Sequence, residues 1–289
     1  MIIVHAPAKL NLFLEVLRRR PNGYHTIQTI FQAVGLYDRL IIKPHPDQLI
    51  LRSSSPYIPV DSKNLVIKAA LQIKKALKIQ CGAEIFLEKN IPIGAGLGGG
   101  SADAAAAIIG LSTLWKLELT DKQIRQHAAR LGADVPFFLN GGTAQGGGVG
   151  DRIVQLEPIS PQWFLLVNPG FPVPTASVYK TLSFPLTGRQ KINRIKTHLT
   201  GVASRPELGE ALFNRLEQVV LPRYAEIKRI KDTLSECGVH ALMSGSGSTV
   251  FAPLKTRKQG EVIRKKLHRY PWKTWVVRAV ADGVKLHLR

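Results

Sequence analysis

The stretch Pro92-Ile93-Gly94-Ala95-Gly96-Leu97-Gly98-Gly99-Gly100-Ser101 runs directly into an alanine-rich segment from Ala102 to Trp115. Five of the seven positions from Gly94 to Gly100 are glycine, a residue that tolerates positive φ angles and lets the backbone approach a ligand closely. The pattern predicts a loop that leads into the N-terminus of a helix, where unpaired N–H groups and the helix dipole favour an anion. We therefore predict that this loop binds phosphate.

The loop differs from the two commonest phosphate-binding motifs. It lacks the Gly-Lys-Ser/Thr ending of a Walker loop. Gly94, Gly96 and Gly99 satisfy a loose G-x-G-x-x-G, but the acidic residue about 20 positions further on, Asp121, opens a predicted helix instead of ending a strand. A tight packing turn between a strand and a helix is the alternative interpretation. In either case we expect Ser101 to cap the helix and Asp103 to complement its dipole.

Length and composition are those of a globular protein with room for two domains. The chain has 289 residues, of which 45% are hydrophobic and 21% are charged. Its two cysteines, Cys81 and Cys237, lie far apart, which fits a reducing compartment and provides no zinc-binding pattern. The first seven residues contain no charged segment followed by an apolar run, and no apolar run approaches the length of a membrane span. We expect a cytoplasmic protein without a membrane partner.

The charge balance is unusual. The formal net charge is +20, from 40 basic and 20 acidic residues, and a positive field attracts anionic ligands. However, the basic residues are scattered, and the run Arg18-Arg19-Arg20 is not accompanied by the interleaved aromatic residues of an RNA-binding surface. We interpret the charge as solvated helix faces and expect no dedicated nucleic-acid partner.

Hydrophobic periodicity predicts helices and strands in both halves of the chain. The predicted strands are 2–4, 10–16, 24–31, 40–43, 83–89, 143–148, 152–156, 163–167, 239–243, 249–253 and 275–280. The predicted helices are 61–79, 102–115, 121–132, 175–182, 206–220, 222–237 and 257–269. Layers of helices and antiparallel strands make an α+β fold. The proline-containing segment 158–161 is the predicted boundary between a domain over 1–157 and a domain over 158–289.

Three separated stretches together resemble the GHMP kinases, which are small-molecule kinases without a Walker loop. They are Ala6-Pro7-Ala8-Lys9-Leu10-Asn11-Leu12, the glycine-rich loop from Pro92 to Ala102, and Met243-Ser244-Gly245-Ser246-Gly247-Ser248-Thr249-Val250-Phe251. The resemblance covers almost the whole chain. It implies a two-domain GHMP kinase fold, with an N-terminal ribosomal-S5-domain-2-like ATP-binding domain, a C-terminal ferredoxin-like α/β sandwich domain, and a site between them.

Two further stretches resemble one branch of this family. They are Pro21-Asn22-Gly23-Tyr24-His25-Thr26-Ile27-Gln28-Thr29-Ile30-Phe31 and Gly132-Ala133-Asp134-Val135-Pro136-Phe137-Phe138. This branch uses ATP to phosphorylate the 2-hydroxyl of a cytidine-diphosphate-linked methylerythritol, in the non-mevalonate route to isopentenyl diphosphate. The resemblance implies Mg-ATP as a co-substrate and no tightly bound cofactor; no protein ligand of a metal is assigned.

The resemblance also implies roles for individual residues. Asp134 matches the catalytic aspartate, a general base for the acceptor hydroxyl, and Lys9 matches the lysine that stabilises the developing charge. The residues that would bind ATP are Pro92, Ile93, Gly94, Ala95, Gly96, Leu97, Gly98, Gly99, Gly100, Ser101 and Ala102.

Four residues match the positions that bind the alcohol substrate. Asn11 lies on the same strand face as Lys9 and would hydrogen-bond the substrate near the reacting hydroxyl. Tyr24 and His25 would stack on the cytosine and hydrogen-bond it, and Tyr179 would add an aromatic ring on the opposite side.

The sequence departs from the family pattern at two positions. Asn22 stands where the family commonly has Asp, and Arg215 interrupts a frequent Asn-Asp-Leu-Glu pattern. Two alternatives stay open. The Gly-Tyr-His stretch argues against a GHMP kinase for mevalonate or homoserine, and the presence of both Lys9 and Asp134 argues against a non-catalytic, basic nucleotide-binding or nucleic-acid-binding module.

Overall fold

The computed structural model of the chain describes residues 1–159, 162–182, 208 and 212–288. Its strands are β1 (Ile2–Arg19), β2 (His25–His45), β3 (Leu49–Ser53), β4 (Gly82–Glu88), β5 (Thr143–Gly147), β6 (Arg152–Gln155), β7 (Trp163–Asn168), β8 (Phe213–Asn214), β9 (Leu242–Met243), β10 (Val250–Leu254), β11 (Lys273–Arg278) and β12 (Lys285–Leu288). Its helices are α1 (Leu65–Leu77), α2 (Gly99–Leu114), α3 (Asp121–Leu131), α4 (Val135–Asn140), α5 (Thr175–Lys180), α6 (Glu217–Val220), α7 (Ala225–Glu236) and α8 (Arg257–Leu267).

A long antiparallel hairpin of β1 and β2 forms the centre of the first sheet. The turn between the strands places Gly23 at φ +82°, and the Asn22 side chain accepts a hydrogen bond from the backbone N–H of Tyr24 at 3.2 Å. The sequence predicted two shorter segments on each side of this turn. Pro7 does not interrupt β1, because the register of the ladder shifts between Pro7 and Ala8, and such irregularities accommodate proline.

The first sheet has eight strands, with the path β12-β1-β2-β4-β3 and with β5, β6 and β8 attached to its sides. Helix α2 packs against β1 and β2, and its alanines from Ala104 to Ala107 have no exposed surface. At Gly110, a Cβ atom would lie 2.5 Å from Ile42 Cδ1 and 2.9 Å from Val4 Cγ2. The small residues therefore let α2 lie close to the sheet, which fixes the position of its N-terminus.

The second sheet has four strands in the order β11-β7-β10-β9, with antiparallel pairing throughout. Helices α7 and α8 contribute Ile227, Ile230 and Ile263 to a core with the apolar residues of β7 and β10. The mixture of helices and largely antiparallel sheets confirms the predicted α+β class. In the described part of the chain, no helix combines the length and apolar composition needed to cross a bilayer.

The helix predicted over 206–220 is wrong in its described part. Residues Phe213–Asn214 form strand β8, parallel to β1, and a helix follows only at Glu217; 206, 207 and 209–211 lie outside the described residues. The Arg215 guanidinium donates two hydrogen bonds to the Glu15 carboxylate, from Nε to Oε1 at 2.6 Å and from Nη2 to Oε2 at 2.7 Å. This bidentate ion pair holds the segment extended along β1. The sequence also missed β3, α4 and β12.

The predicted domain boundary remains a prediction. The four-stranded sheet lies entirely after residue 157. However, β8 and β12, which also follow the boundary, both pair with β1 of the first sheet.

The core of the first sheet provides a stability prediction. Phe137 has no exposed surface, and its ring centroid lies 5.0 Å from that of Phe31 and 5.2 Å from that of Phe138. We expect Phe137→Ala to lower the free energy of unfolding by about 3–5 kcal/mol through cavity formation, as measured by urea denaturation. Phe86, with 38% of its surface exposed, is the control, and Phe86→Ala is expected to cost less than about 1 kcal/mol. Equal losses would contradict this assignment.

Candidate active site

A cavity of about 870 Å³ lies where the glycine-rich loop, the β1–β2 turn, α5 and the Gly245–Ser246 turn meet. Of the predicted site residues, all except Leu97 and Ala102 line this cavity. Leu97 and Ala102 have no exposed surface and pack in the core. The cavity therefore brings together residues that are separated by more than 200 positions in the chain.

The glycine-rich loop has the backbone conformation that its composition predicts. Gly94, Gly96 and Gly98 have φ values of +61°, +78° and +71°. Gly98 precedes α2 as the N-cap, and no side chain caps the helix. The prediction that Ser101 caps the helix is therefore wrong, because Ser101 lies inside the first turn. Helix geometry leaves the N–H groups of Gly99, Gly100 and Ser101 without intrahelical partners.

Four successive carbonyl groups of the loop are bonded within the protein. The carbonyl oxygens of Gly94 and Ala95 accept from the N–H groups of Val173 and Thr249, at 3.0 and 3.2 Å. Gly96 O accepts from Ser244 Oγ at 3.0 Å, and Leu97 O accepts from Lys9 N at 2.9 Å. These bonds fix the loop between the two sheets.

Lys9 and Asp134 meet at the floor of the cavity. Lys9 Nζ lies 3.5 Å from Asp134 Oδ2, and the exposed fractions of the two side chains are 5% and 32%. Burial lowers the pKa of Lys9, and the Asp134 carboxylate acts in the opposite direction. Asp134 directly precedes α4, whose Phe137 and Phe138 are packed in the core. A buried ammonium is thus held beside a partly exposed carboxylate.

Asn11 supports Lys9 from the same strand face. Its Oδ1 accepts a hydrogen bond from Lys9 Nζ, and its Nδ2 donates to Thr29 Oγ1 at 2.7 Å. Thr29 Oγ1 in turn donates to the carbonyl oxygen of Phe13 at 2.6 Å. The amide of Asn11 is thus oriented by the protein, and its predicted contact with a substrate stays a prediction.

The aromatic end of the cavity is formed by Tyr24, His25 and Tyr179. The ring centroids of His25 and Tyr179 are 5.3 Å apart with an angle of 35° between the planes. A base between these two rings would need two contacts of about 3.5 Å each, so no base fits between them. Tyr24 is 65% exposed and offers an open face. Burial, and to a smaller extent the charge of Arg19, lowers the pKa of His25, so its ring is neutral at pH 7.

Sequence reasoning missed other residues of the cavity. Ile58 and Leu65 line it beside the loop; their only signal was the Asn64-Leu65 pair at the start of α1. Thr175 lines the opposite side, and its hydroxyl oxygen lies 2.8 Å from that of Ser246, which belongs to the stretch from Met243 to Phe251 that the sequence singled out. Asp103 was expected to complement the helix dipole. This interpretation is wrong, because the helix has no acidic residue in its first turn and Asp103 instead binds Lys89 at 2.7 Å.

The family assignment follows from comparison with known proteins. A family model described as the GHMP kinases N terminal domain matches residues 64–142, and one described as GHMP kinases C terminal matches residues 202–273. The chain belongs to the GHMP kinase family. This GHMP kinase is a small-molecule kinase with ATP as co-substrate, and its N- and C-terminal family domains confirm the predicted fold.

Relatives of this GHMP kinase match over nearly its full length. A protein of Exiguobacterium sibiricum, named 4-diphosphocytidyl-2-C-methyl-D-erythritol kinase, is 38% identical over 98% of this chain and 99% of its own. A protein of the same name from Symbiobacterium thermophilum is 35% identical over 96% and 99% of the two chains. The crystal structure of a 4-(cytidine 5'-diphospho)-2C-methyl-D-erythritol kinase superposes with a TM-score of 0.80, 33% identity, and coverage of 97% of this chain and 100% of its own. A homoserine kinase from Cytophaga hutchinsonii, 21% identical with a TM-score of 0.76 over 99% of this chain and 97% of its own, shares the fold.

The ion pair in the cavity provides a prediction. Because the Asp134 carboxylate raises the pKa of Lys9 against the effect of burial, Asp134→Asn is expected to lower that pKa further. The pKa is measured by NMR titration of the Lys9 Cε signal in protein with ¹³C-labelled lysine. Asp232→Asn, which removes an exposed carboxylate paired with Lys228, is the matched control and should leave the Lys9 titration unchanged. An unchanged or higher Lys9 pKa in Asp134→Asn would contradict the coupling.

Proposed function

We propose that this kinase transfers the γ-phosphoryl group of ATP to the 2-hydroxyl of 4-diphosphocytidyl-2-C-methyl-D-erythritol, giving the 2-phosphate and ADP, a step of the non-mevalonate route to isopentenyl diphosphate. Relatives with this name are 35% to 38% identical over nearly the whole chain. The observation that carries the proposal is the Lys9–Asp134 pair, which lies in one cavity with the glycine-rich loop and with the aromatic residues Tyr24, His25 and Tyr179.

Asp134 acts as the general base. Its carboxylate accepts the proton of the 2-hydroxyl while the hydroxyl oxygen bonds to the γ-phosphorus. The bond from that phosphorus to the β–γ bridging oxygen breaks, and ADP leaves with the electron pair. A well-placed general base contributes about 10²-fold to 10⁴-fold in rate. The partly exposed position of Asp134 lets it reach a substrate, whereas Lys9 is enclosed.

Lys9 acts as the electrostatic partner of Asp134. Its ammonium lies 3.5 Å from the carboxylate and stabilises negative charge on the acceptor oxygen. Asn11, bonded to both Lys9 and Thr29, holds the ammonium in place. Such preorganised charge needs no rearrangement during the reaction.

The loop from Pro92 to Ala102 binds the phosphates of ATP. The carbonyl groups from Gly94 to Leu97 are bonded to the protein and hold the loop in place. The N–H groups of the first turn of α2, which helix geometry leaves unpaired, remain for an anion, and the N-terminus of α2 adds its partial positive charge. Leu97 and Ala102 can contribute only through their backbone, since their side chains are buried.

The cytidine binds at the aromatic end of the cavity. The close contact of His25 with Tyr179 makes these rings one wall, and the base stacks on the exposed face that Tyr24 provides. Base stacking on an aromatic side chain is worth about 1–3 kcal/mol per base. The neutral ring of His25 can hydrogen-bond the edge of the base.

Magnesium is expected to accompany ATP. In the parts of the chain that the structure describes, no group of three or more His, Cys, Asp or Glu residues could hold a metal ion, and Asp134 is the one carboxylate that lines the cavity. This donor set fits Mg²⁺, which keeps several waters and binds mainly through substrate phosphates. Ser101 at the start of α2 is the candidate hydroxyl ligand. The ion would offset charge on the phosphate oxygens.

The substrate and the role of Asp134 are tested together by ADP release. The purified kinase is given Mg-ATP with the cytidylyl methylerythritol, mevalonate or homoserine. We expect turnover with the cytidylyl substrate alone, and a loss of about 10²-fold or more in kcat for Asp134→Asn. Asp232→Asn serves as a control for substitution of an exposed aspartate. Turnover of a different alcohol would overturn the substrate assignment, and full activity of Asp134→Asn would overturn its role as base.

The loop is tested by Gly96→Ala. A Cβ atom at this position would lie 2.0 Å from the carbonyl oxygen of Ser244, a backbone atom, so the loop must move. We expect a KM for ATP at least tenfold higher. Gly238→Ala is the matched control, since Gly238 has a similar φ of +75° but no atom within 4 Å of a Cβ. It should lose about 1–2 kcal/mol of stability with an unchanged KM for ATP. Equal KM values for both variants would contradict the role of the loop.

A further inference from the structure

A buried ionic cluster of Asp38, Lys89 and Asp103 lies beside the glycine-rich loop. Lys89 Nζ donates to Asp38 Oδ2 and, at 2.7 Å, to Asp103 Oδ2. The exposed fractions of the three side chains are 4% for Lys89, 0% for Asp38 and 3% for Asp103. Removing charges from water costs free energy that pairing and hydrogen bonds only partly offset, and the reaction proposed above assigns no role to these groups.

The cluster holds both ends of the loop. At the N-terminal end, Asp38 Oδ1 accepts hydrogen bonds from the backbone N–H groups of Asn90 at 2.6 Å and Ile91 at 2.8 Å. At the C-terminal end, Asp103 belongs to α2, and Lys89 Nζ lies 2.8 Å from the position of a Cβ atom on Gly99. One ammonium thus connects the start of the loop with the helix that follows it.

The charges of the cluster do not balance when all three groups are ionised. Two carboxylates face one ammonium, which leaves one negative charge in excess. Asp103 Oδ1 has no hydrogen-bond partner among the described residues, so no donor compensates a negative charge on this oxygen for its removal from water. Burial raises the pKa of Asp103 to about 8, with the neighbouring Asp38 acting in the same direction and Lys89 in the opposite one.

We infer that the Asp38–Lys89–Asp103 cluster positions the phosphate-binding loop, and that ATP binds more weakly when Asp103 is ionised than when it is protonated. Asp103 is a positioning residue in this account, since it acts through Lys89 and α2. The excess negative charge repels the phosphates across a poorly screened interior and pulls on the ammonium that supports Gly99. The inference rests on the proposed binding of ATP phosphates by the loop.

The sign of the pH dependence follows from the protonation state. Below about pH 8 Asp103 is protonated, and the cluster has one negative charge fewer than when Asp103 is ionised. Above that pH it carries the excess negative charge. The groups that face Asp103 are Lys89, from the end of β4, and Asp38, from β2. Affinity for ATP should therefore be highest near neutral pH and fall through about pH 8.

The experiment measures the Kd of Mg-ATP by calorimetry between about pH 7 and pH 9.5, above the range in which the γ-phosphate titrates. The wild type should bind about five- to tenfold more weakly at the upper end. Asp103→Asn keeps the shape of the side chain and remains neutral, so it should bind with the near-neutral wild-type Kd at every pH. Lys89→Met should bind Mg-ATP more weakly than the wild type at every pH. If Lys89→Met does not fold, the comparison of Asp103→Asn with the wild type tests the inference without it.

The outcomes separate this inference from the proposed function. A pH-independent wild-type Kd, or the same fall in affinity in Asp103→Asn, would overturn the inference and leave ATP binding by the loop intact. If the wild type turned over the cytidylyl substrate but Gly96→Ala bound ATP normally, the role of the loop would be wrong, and the inference with it. A shift of kcat rather than Kd with pH would point to Lys9 and Asp134 instead, and would also overturn it.

Discussion

The active site depends on the hydrogen bonding of four successive carbonyl groups, from Gly94 to Leu97. Their donors come from both parts of the molecule: Lys9 lies on the first sheet, and Val173, Ser244 and Thr249 follow residue 157. The loop is thus bonded to both parts of the molecule and forms a fixed side of the cavity, unlike a flap that opens and closes. Since Gly96 approaches the Ser244 carbonyl too closely for any side chain, the composition of the loop is set by this contact as much as by the phosphates.

A second network holds the other side of this contact. Asn214 Nδ2 donates to the carbonyl oxygens of Met243 and Gly245, both at 2.7 Å, and Glu217 accepts from the N–H of Met243 at 2.8 Å. Arg215, which lies between Asn214 and Glu217 in the chain, donates hydrogen bonds to the carboxylate of Glu15 on β1. Arg215, a departure from the family pattern in the sequence, therefore connects the network to the central hairpin without displacing either residue that supports the Ser244–Ser246 turn.

From the sequence alone we predicted the features that depend on residues close together in the chain. Alternation placed Lys9 and Asn11 on one strand face, and glycine composition predicted the loop. Periodicity located α1 and α8, and the alanine-rich composition after the glycines located α2. The sequence could not predict contacts between distant segments. Strand β8 is held by pairing with β1 and by the Glu15–Arg215 bond, so its helical periodicity was misleading. The partner of Asp103 and the absence of a side-chain cap on α2 also depend on tertiary packing, and a local pattern cannot show them.

The environment of Lys9 has a consequence for ligand design. Its ammonium is enclosed and donates to Asn11, so a ligand in the cavity meets the pair through the carboxylate of Asp134, which is the more exposed partner. A carboxylate accepts hydrogen bonds from N–H and O–H groups. A cytidine-like inhibitor with a neutral N–H donor in place of the reacting hydroxyl would therefore bond to Asp134 without bringing a second positive charge beside Lys9.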